Sequence, residues 1–276
     1  MPSTPQTIVA AVAAGVLAPA ALANLPTTLI TVTASNALGS GSTTIGLSDF
    51  ATALDTDFDG LPNFGISGPL GPITIQNTGG DVIAGLTDAE FTIGSSITSP
   101  TVPAVQSSSI GGSFALINNV PGAGTTTFTI TTSPIPFFTS LNTPGLADGS
   151  VGISATDSAG SPDGAVIDGL GASGGLLELL YNTSGTPQTL ASLLQGGFSI
   201  APGAPNSATD SEDFPDTTAA RTLINQPVAD IALRFEFSVS EGDQLGATFD
   251  YSIIVPAPGV AGVLLPAGLL AARRRR

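Results

Sequence analysis

Residues 233–239 alternate strictly between apolar and polar side chains, and few folds accommodate such a pattern. The apolar members are Leu233, Phe235, Phe237 and Val239. A period of two is typical of a β-strand with one buried face, because successive side chains point to opposite sides of a sheet. We therefore expect a strand here whose phenylalanines lie in a hydrophobic core.

Glycine and proline interrupt the rest of the chain at short intervals, with 34 Gly and 22 Pro among 276 residues. Both residue types end regular elements and mark turns. Further strand-like runs lie between them, at residues 29–33, 73–76, 90–97, 113–120 and 125–132. Short helices are predicted only at 48–54, 176–180 and 189–195, and the Gly-rich stretch 163–175 is predicted to be a boundary or long loop.

The end of the chain's middle part predicts a hairpin. Residues 240–243, with the sequence Ser-Glu-Gly-Asp, are typical of a turn, and residues 245–254 form another strand-like run. Taken together, these patterns predict an all-β fold. We expect a β-sandwich of jelly-roll or immunoglobulin-like kind over residues 24–252, flanked by an N-terminal signal helix and a C-terminal transmembrane helix.

The N-terminus is predicted to be a secretory signal peptide. Residues 8–23 are uncharged, rich in Ala, Val and Leu, and end in Ala21-Leu22-Ala23. Small residues at Ala21 and Ala23 are what signal peptidase requires at positions −3 and −1 of a cut before Asn24. A buried structural helix is the alternative, but Pro19 and the small residues just before the expected cut favour cleavage.

The C-terminus predicts a membrane-spanning tail at residues 253–276. Residues 253–272 carry no charge and are long enough to cross a bilayer as a helix. Four arginines follow directly, and the positive-inside rule places them in the cytoplasm, with the acidic domain outside. Prolines at 256, 258 and 266 disfavour a permanent helix, so a short-lived anchor is expected.

The order of features in this tail carries a family resemblance. Val255, Pro256, Ala257 and Pro258 precede the apolar span, and the chain ends with Arg273, Arg274, Arg275 and Arg276. This order resembles the PEP-CTERM family of sorting signals, in a variant class, since Ala257 stands where the commonest form has glutamate. The resemblance implies processing by an exosortase-like membrane protease of a Gram-negative bacterium, with delivery to the cell surface or extracellular matrix. An uncleaved tail anchor is the alternative.

Charge and composition exclude several function classes. All 21 acidic residues lie between Asp49 and Asp250, where Arg221 and Arg234 are the only basic ones, so nucleic acid is not an expected partner. The chain has no cysteine, histidine or lysine. Disulfides, imidazole-bound zinc, a Ser-His-Asp triad and Schiff-base chemistry are therefore excluded.

One loop has the residue pattern of a calcium site. Residues 55–63 read Asp-Thr-Asp-Phe-Asp-Gly-Leu-Pro-Asn, with Gly60 at the sharp turn. The predicted ligands are the side chains of Asp55, Asp57, Asp59 and Asn63 and the carbonyl of Leu61. The pattern is similar to thrombospondin type 3 and dockerin-like loops, although Ile66 replaces the EF-hand glutamate. Ca²⁺ is the expected ligand, and an ordinary acidic turn is the alternative.

These features favour a non-catalytic component of the cell surface or exopolysaccharide matrix. Its expected partners are signal peptidase, the exosortase-like protease, the inner membrane in transit, and an exopolysaccharide or surface partner. Two alternatives use the same export route. One is a calcium-stabilised binding module, and the other is a carbohydrate-active hydrolase with a carboxylate pair from among Glu90, Glu178, Glu236 and Glu241.

Overall fold

The structure is a computed structural model that describes residues 25–54, 63–98, 105–157, 164–202, 207–215 and 221–256. The predicted signal peptide with Ala21 and Ala23 lies outside these residues, and so does the tail beyond Pro256, including Pro258 and the arginine cluster. Residues 55–62 of the predicted calcium loop also lie outside them.

The described chain is almost entirely antiparallel β-structure. Its first eight strands are β1 (Thr28–Asn36), β2 (Gly39–Gly46), β3 (Ala51–Leu54), β4 (Asn63–Leu70), β5 (Ile73–Gln76), β6 (Val82–Thr98), β7 (Val105–Ile117) and β8 (Thr126–Thr132). The others are β9 (Ile135–Asp157), β10 (Ala165–Gly169), β11 (Leu177–Tyr181), β12 (Gln188–Leu193), β13 (Phe198–Ile200), β14 (Ser207–Phe214), β15 (Thr222–Val239) and β16 (Asp243–Pro256). Two single 3-10 turns, Leu47–Asp49 and Ala172–Gly174, complete the described elements. The all-β prediction is therefore confirmed.

All sixteen strands join one curled sheet, ordered β2-β1-β8-β15-β9-β16-β7-β6-β4-β3 along its main path. The long strand β15 makes the curl possible. Its first part pairs with β9, and its second part pairs with β8 on one side and with β10 and β11 on the other. Strand β14 pairs with β9 at a further edge.

The two halves of the sheet face each other across a cluster of phenylalanines. Phe235 of β15 lies with its ring centroid 5.1 Å from that of Phe114 in β7 and 5.0 Å from that of Phe249 in β16. Phe128 and Phe237 extend the cluster on the β8–β15 side. These rings are buried because the period-two pattern turns each of them inward, as predicted for residues 233–239.

The predicted terminal hairpin is wrong. Strand β15 ends at Val239 and β16 begins at Asp243, but β16 pairs with β7 and β9. Both strands carry inward phenylalanines, so the turn between them carries the chain from one half of the sheet to the half that faces it. Each strand thus buries its apolar face against the other.

The two predicted helices at 176–180 and 189–195 are also wrong, because these residues form β11 and β12. Leu177, Leu179 and Leu180 are all buried, and so is Glu178, so burial in β11 does not alternate. The predicted turn at 48–54 is a 3-10 turn followed by β3, and the predicted loop at 163–175 contains β10.

The start of the predicted sorting tail belongs to the sheet. Val255 pairs with Gln106 and is fully buried, and Pro256 is the last residue of β16, opposite Val105. The strand therefore continues past the expected boundary at residue 252. Within the described ranges, no helix has the length and hydrophobicity needed to span a bilayer.

Candidate functional site: a hydroxyl-rich sheet face

The sheet formed by β6, β7, β16, β9 and β14 has an outer face made of small polar side chains. We call it the outer face. Its members are Asp88, Glu90, Thr92, Gly94 and Ser96 of β6; Ser107, Ser109, Gly111, Ser113 and Ala115 of β7; Gly246, Thr248, Asp250 and Ser252 of β16; Asp148, Ser150, Gly152 and Ser154 of β9; and Thr209, Ser211 and Asp213 of β14. Every one of them is at least partly exposed to solvent.

Alternation builds this face, because β6, β7, β16 and β9 bury most of their other side chains, whereas β14 is exposed or half-buried on both sides. Phe91, Phe114 and Phe249 point inward from β6, β7 and β16, between outward-pointing hydroxyl and carboxyl groups. Cross-strand pairing then aligns the outward groups in rows. One row, read through the register, contains Ser211, Gly152, Thr248, Ser113 and Glu90.

An open groove of about 610 Å³ crosses this face. Residues of all five strands line it, so it runs across the strands, and four interstrand spacings make it about 19 Å long. Gly152 and Gly246 form part of its floor. A Cβ added at Gly152 would lie 3.1 Å from Thr248 Oγ1, and one added at Gly246 would lie 2.7 Å from Ser154 Oγ. The glycines therefore keep the groove open.

The only arginine on the described part of this face is held by its neighbours. Arg221 Nη2 lies 2.9 Å from Asp148 Oδ2, and Arg221 Nη1 donates to Ser252 Oγ at 3.0 Å. The Ser252 hydroxyl in turn donates to Asp148. This three-residue cluster fixes Asp148 and satisfies Arg221. Among the described residues, no ion pair joins Asp88, Glu90 or Asp213 of the outer face to a basic side chain.

Asp250 lies beside this cluster and is the acidic group whose ionisation the fold disfavours. It pairs with Ser150 of β9, which lies two residues from Asp148 along that strand. Partial burial raises the pKa of Asp250 above its ordinary value, and the charge of Asp148 raises it further, while Arg221 lowers it in part. A cation that binds beside Asp250 would favour its charged form, because the two charges are opposite.

The predicted calcium ligands lie mostly outside the described residues. Asn63 is the first residue of β4, and Asp55, Asp57, Asp59 and Leu61 fall in the part of the chain that is not described. Elsewhere in the described ranges, no three acidic side chains converge on a position for a metal ion. Calcium binding therefore stays a prediction from the residue pattern.

The glutamates considered for hydrolysis do not form an open pair. Glu178 Oε2 lies 2.5 Å from Arg234 Nη2, and Glu236 lies 3.8 Å from Arg234 Nε, so the arginine is shared between them. Glu178 is only 1% exposed, which keeps a substrate from it. Glu241 accepts hydrogen bonds from the backbone N–H groups of Gly122 and Gly124 at 2.8 Å each. Of these four glutamates, Glu90 is the one that lies on the outer face.

The outer face was not predicted from the sequence, although part of its signal is visible there. Residues 107–113 read Ser-Ser-Ser-Ile-Gly-Gly-Ser and residues 246–252 alternate small polar with apolar residues. Each segment predicts a strand with a polar side. Their assembly into one face follows from the pairing of β7 with β16, which links distant parts of the chain.

Comparison with known proteins assigns no family. No protein-family model matches the chain, and no curated protein does. A structure of the infectious bursal disease virus Gx strain is 12% identical with a TM-score of 0.30, and the match covers 86% of this chain and 59% of the viral chain. The cleaved adhesin domain of Lys-gingipain from Porphyromonas gingivalis is 13% identical with a TM-score of 0.21, over 53% of this chain and 74% of that one.

A glycoside hydrolase domain, Endo-D from Streptococcus pneumoniae, is 10% identical with a TM-score of 0.18, over 52% of this chain and 18% of that one. The chain thus spans less than two thirds of the viral protein's length, and only a small part of the hydrolase. TM-scores this low assign neither a fold family nor a function.

Proposed function

We propose that this protein is an exported, non-catalytic component of the cell surface or exopolysaccharide matrix of a Gram-negative bacterium. Signal peptidase removes residues 1–23, the tail holds the precursor in the inner membrane, and an exosortase-like protease then releases the folded domain. We infer that the two facing halves of the sheet form a β-sandwich of jelly-roll or immunoglobulin-like kind, which supports a rigid, exposed outer face.

The continuity of β16 with the tail is the observation that carries this proposal. Val255 is paired and buried in the sheet, so the first residues of the expected span, 253–256, belong to β16. In the sequence, the rest of the apolar run and the arginine cluster follow directly. A sorting signal has to follow a completed domain, since the domain folds outside the membrane. The acidic, lysine-free domain and its hydroxyl-rich face support a role in contact with solvent and matrix.

The proposal is tested by measuring whether the domain is exposed on the surface of the native host's cells. We would compare the wild-type chain with a variant in which Arg273, Arg274, Arg275 and Arg276 are all replaced by serine. Intact cells are treated with a protease that does not enter them, and cells and culture fluid are probed for the domain. We expect the wild-type domain on the surface or in the medium, and the serine variant misplaced, because the positive-inside anchor is lost.

Arg221→Gln is the matched control, since it removes an arginine from the domain and leaves the tail intact. It should reach the surface like the wild-type chain. A wild-type chain that is protected from the protease and absent from the medium contradicts the proposal. An uncut chain found only in membranes would also contradict the proposal and would identify a tail-anchored protein instead.

The calcium loop is part of this proposal as a stabilising element. Three aspartates, an asparagine and a glycine in calcium-loop spacing at residues 55–63 support it. Calorimetric titration with Ca²⁺ should show one site in the wild-type chain and none in Asp57→Ala, with Asp168→Ala as a matched control outside the loop. Equal heats for all three chains would exclude calcium from this loop.

A further inference from the structure

We propose that the outer face binds an amino-sugar polysaccharide through its free ammonium groups and hydroxyls. The inference rests on the proposed function, because only an exported domain meets such a polymer. It names the class of partner for the groove that crosses β6, β7, β16, β9 and β14.

Charge complementarity selects a cationic partner. Asp88 and Asp210 line the groove. The other carboxylates of the outer face, outside the groove lining, are Glu90, Asp148, Asp213 and Asp250. Arg221 balances Asp148 at 2.9 Å, and no other basic side chain lies on the described part of this face. Ammonium groups placed among these carboxylates form charge-assisted hydrogen bonds and relieve the mutual repulsion that helps to raise the pKa of Asp250. A polyanion would instead be repelled by the same carboxylates.

The groove lining selects a polyhydroxylated partner. Ser113, Ser154, Thr209, Ser211 and Thr248 surround the groove, and each hydroxyl can both donate and accept a hydrogen bond. The floor at Gly152 and Gly246 lets a chain approach the backbone closely. A sugar chain presents hydroxyls to these side chains and C–H groups to the apolar part of the lining, which includes Ala115 and Ala247.

The shape of the groove suits a linear chain. It runs across five strands for about 19 Å, with rows of outward groups repeated at about 4.8 Å from strand to strand. A short stretch of linear polysaccharide fits this length. The outer face has no aromatic side chain on which a sugar ring could stack, so binding depends on charge and hydrogen bonds and is sensitive to salt.

The test uses two probes with the same sugar backbone and different charge. The full chain, purified in detergent, is titrated with a glucosamine hexamer and with the matching N-acetylglucosamine hexamer. We expect the free-amine hexamer to bind at least about tenfold more tightly, and its affinity to fall steeply as salt rises from about 20 to about 300 mM. Equal binding of the two hexamers, or no binding of the amine form, overturns the proposal.

Single variants locate the site. Asp88→Asn, in the groove lining, and Glu90→Gln, on the outer face beside it, should each weaken binding of the glucosamine hexamer severalfold. Asp168→Asn, an exposed strand residue with the same charge change as Asp88→Asn, should not. Gly152→Val fills the groove beside Thr248 and should abolish binding, while Gly65→Val, where an added Cβ meets nothing within 4 Å, should not. Loss in the control variants, or no loss in the groove variants, places the site elsewhere and refutes the proposal.

Failure here is distinct from failure of the proposed function. A chain that reaches the surface and ignores the glucosamine hexamer retains the export role and loses only this ligand. A chain that binds the hexamer in vitro and never leaves the cell loses the surface role. Binding of a uronate polymer only in the presence of Ca²⁺ also overturns the inference, because it shows an anionic partner bridged by metal.

Discussion

Breaking the contact between Phe235 and Phe249 tests whether the two halves of the sheet face each other. Phe235 is fully buried and meets the rings of Phe114 at 5.1 Å and Phe249 at 5.0 Å, both in edge-on arrangements. Each such aromatic pair contributes about 0.5–1.5 kcal/mol beyond area burial. Replacing a buried phenylalanine by leucine in a core that repacks around it costs about 1 kcal/mol more in stability. Phe235→Leu should therefore lower the free energy of unfolding by about 2–4 kcal/mol.

The double-mutant cycle makes this prediction specific to the contact. Phe249→Leu alone should cost a similar amount, and the double variant should cost less than the sum of the two by about 0.5–1.5 kcal/mol. The assay is urea unfolding followed by far-ultraviolet circular dichroism, with the m-value checked for constancy. A control cycle pairs Phe235→Leu with Val82→Ala, at a residue that is 43% exposed, and should be additive. Additivity within about 0.3 kcal/mol for the Phe235–Phe249 pair would refute the facing arrangement.

Three further predictions concern the sheet and its outer face. Asp230 is 2% exposed and accepts four hydrogen bonds from the turn at residues 183–184, so Asp230→Ala should cost about 2–4 kcal/mol in urea unfolding, and a cost under 1 would contradict its role. Gly112→Ala should lower the free energy of unfolding by more than about 2 kcal/mol, because its Cβ would lie 2.2 Å from the carbonyl oxygen of Glu90. The control Gly65→Ala should change it by less than about 0.5 kcal/mol, since a Cβ there meets no atom within 4 Å. Equal effects would count against the β6–β7 register. The pKa of Asp250 is raised in the folded protein, so its contribution to stability is greatest below its unfolded pKa of about 3.8 and declines as pH rises through the folded value. Asp250→Asn should remove that decline in unfolding midpoints measured from pH 3.5 to 7. An unchanged pH profile would refute the shift of the Asp250 pKa.

The sequence was informative where one face of a strand is apolar and the other is polar. Residues 233–239 are predicted and found as the end of β15, with Leu233, Phe235, Phe237 and Val239 all buried. Residues 73–76 match β5, and residues 125–132 match β8 to within one residue. Alternation reports directly which side chains a sheet can bury, so these elements did not depend on distant neighbours.

Prediction failed where the pattern is uniform or where pairing is long-range. Strand β11 is buried along most of its length, Glu178 included, and a short, mostly apolar run of this kind is compatible with either a helix or a strand. The partners of β16 could not be predicted either, because the turn at residues 240–242 is compatible with a hairpin as well as with a crossing between halves. The outer face depends on those partners, so only its separate polar strand sides were visible in the sequence.

Removal of both terminal segments is tested most directly by mass spectrometry of the protein recovered from culture fluid and membranes of the native host, with both termini mapped. Because Val255 is buried and paired in β16, the processed domain should keep this residue. We expect a released form that begins at Asn24 and ends at Pro256 or a few residues beyond, without the arginine cluster. An intact chain from Met1 to Arg276, or a C-terminus at Arg276 found only in membranes, would contradict it.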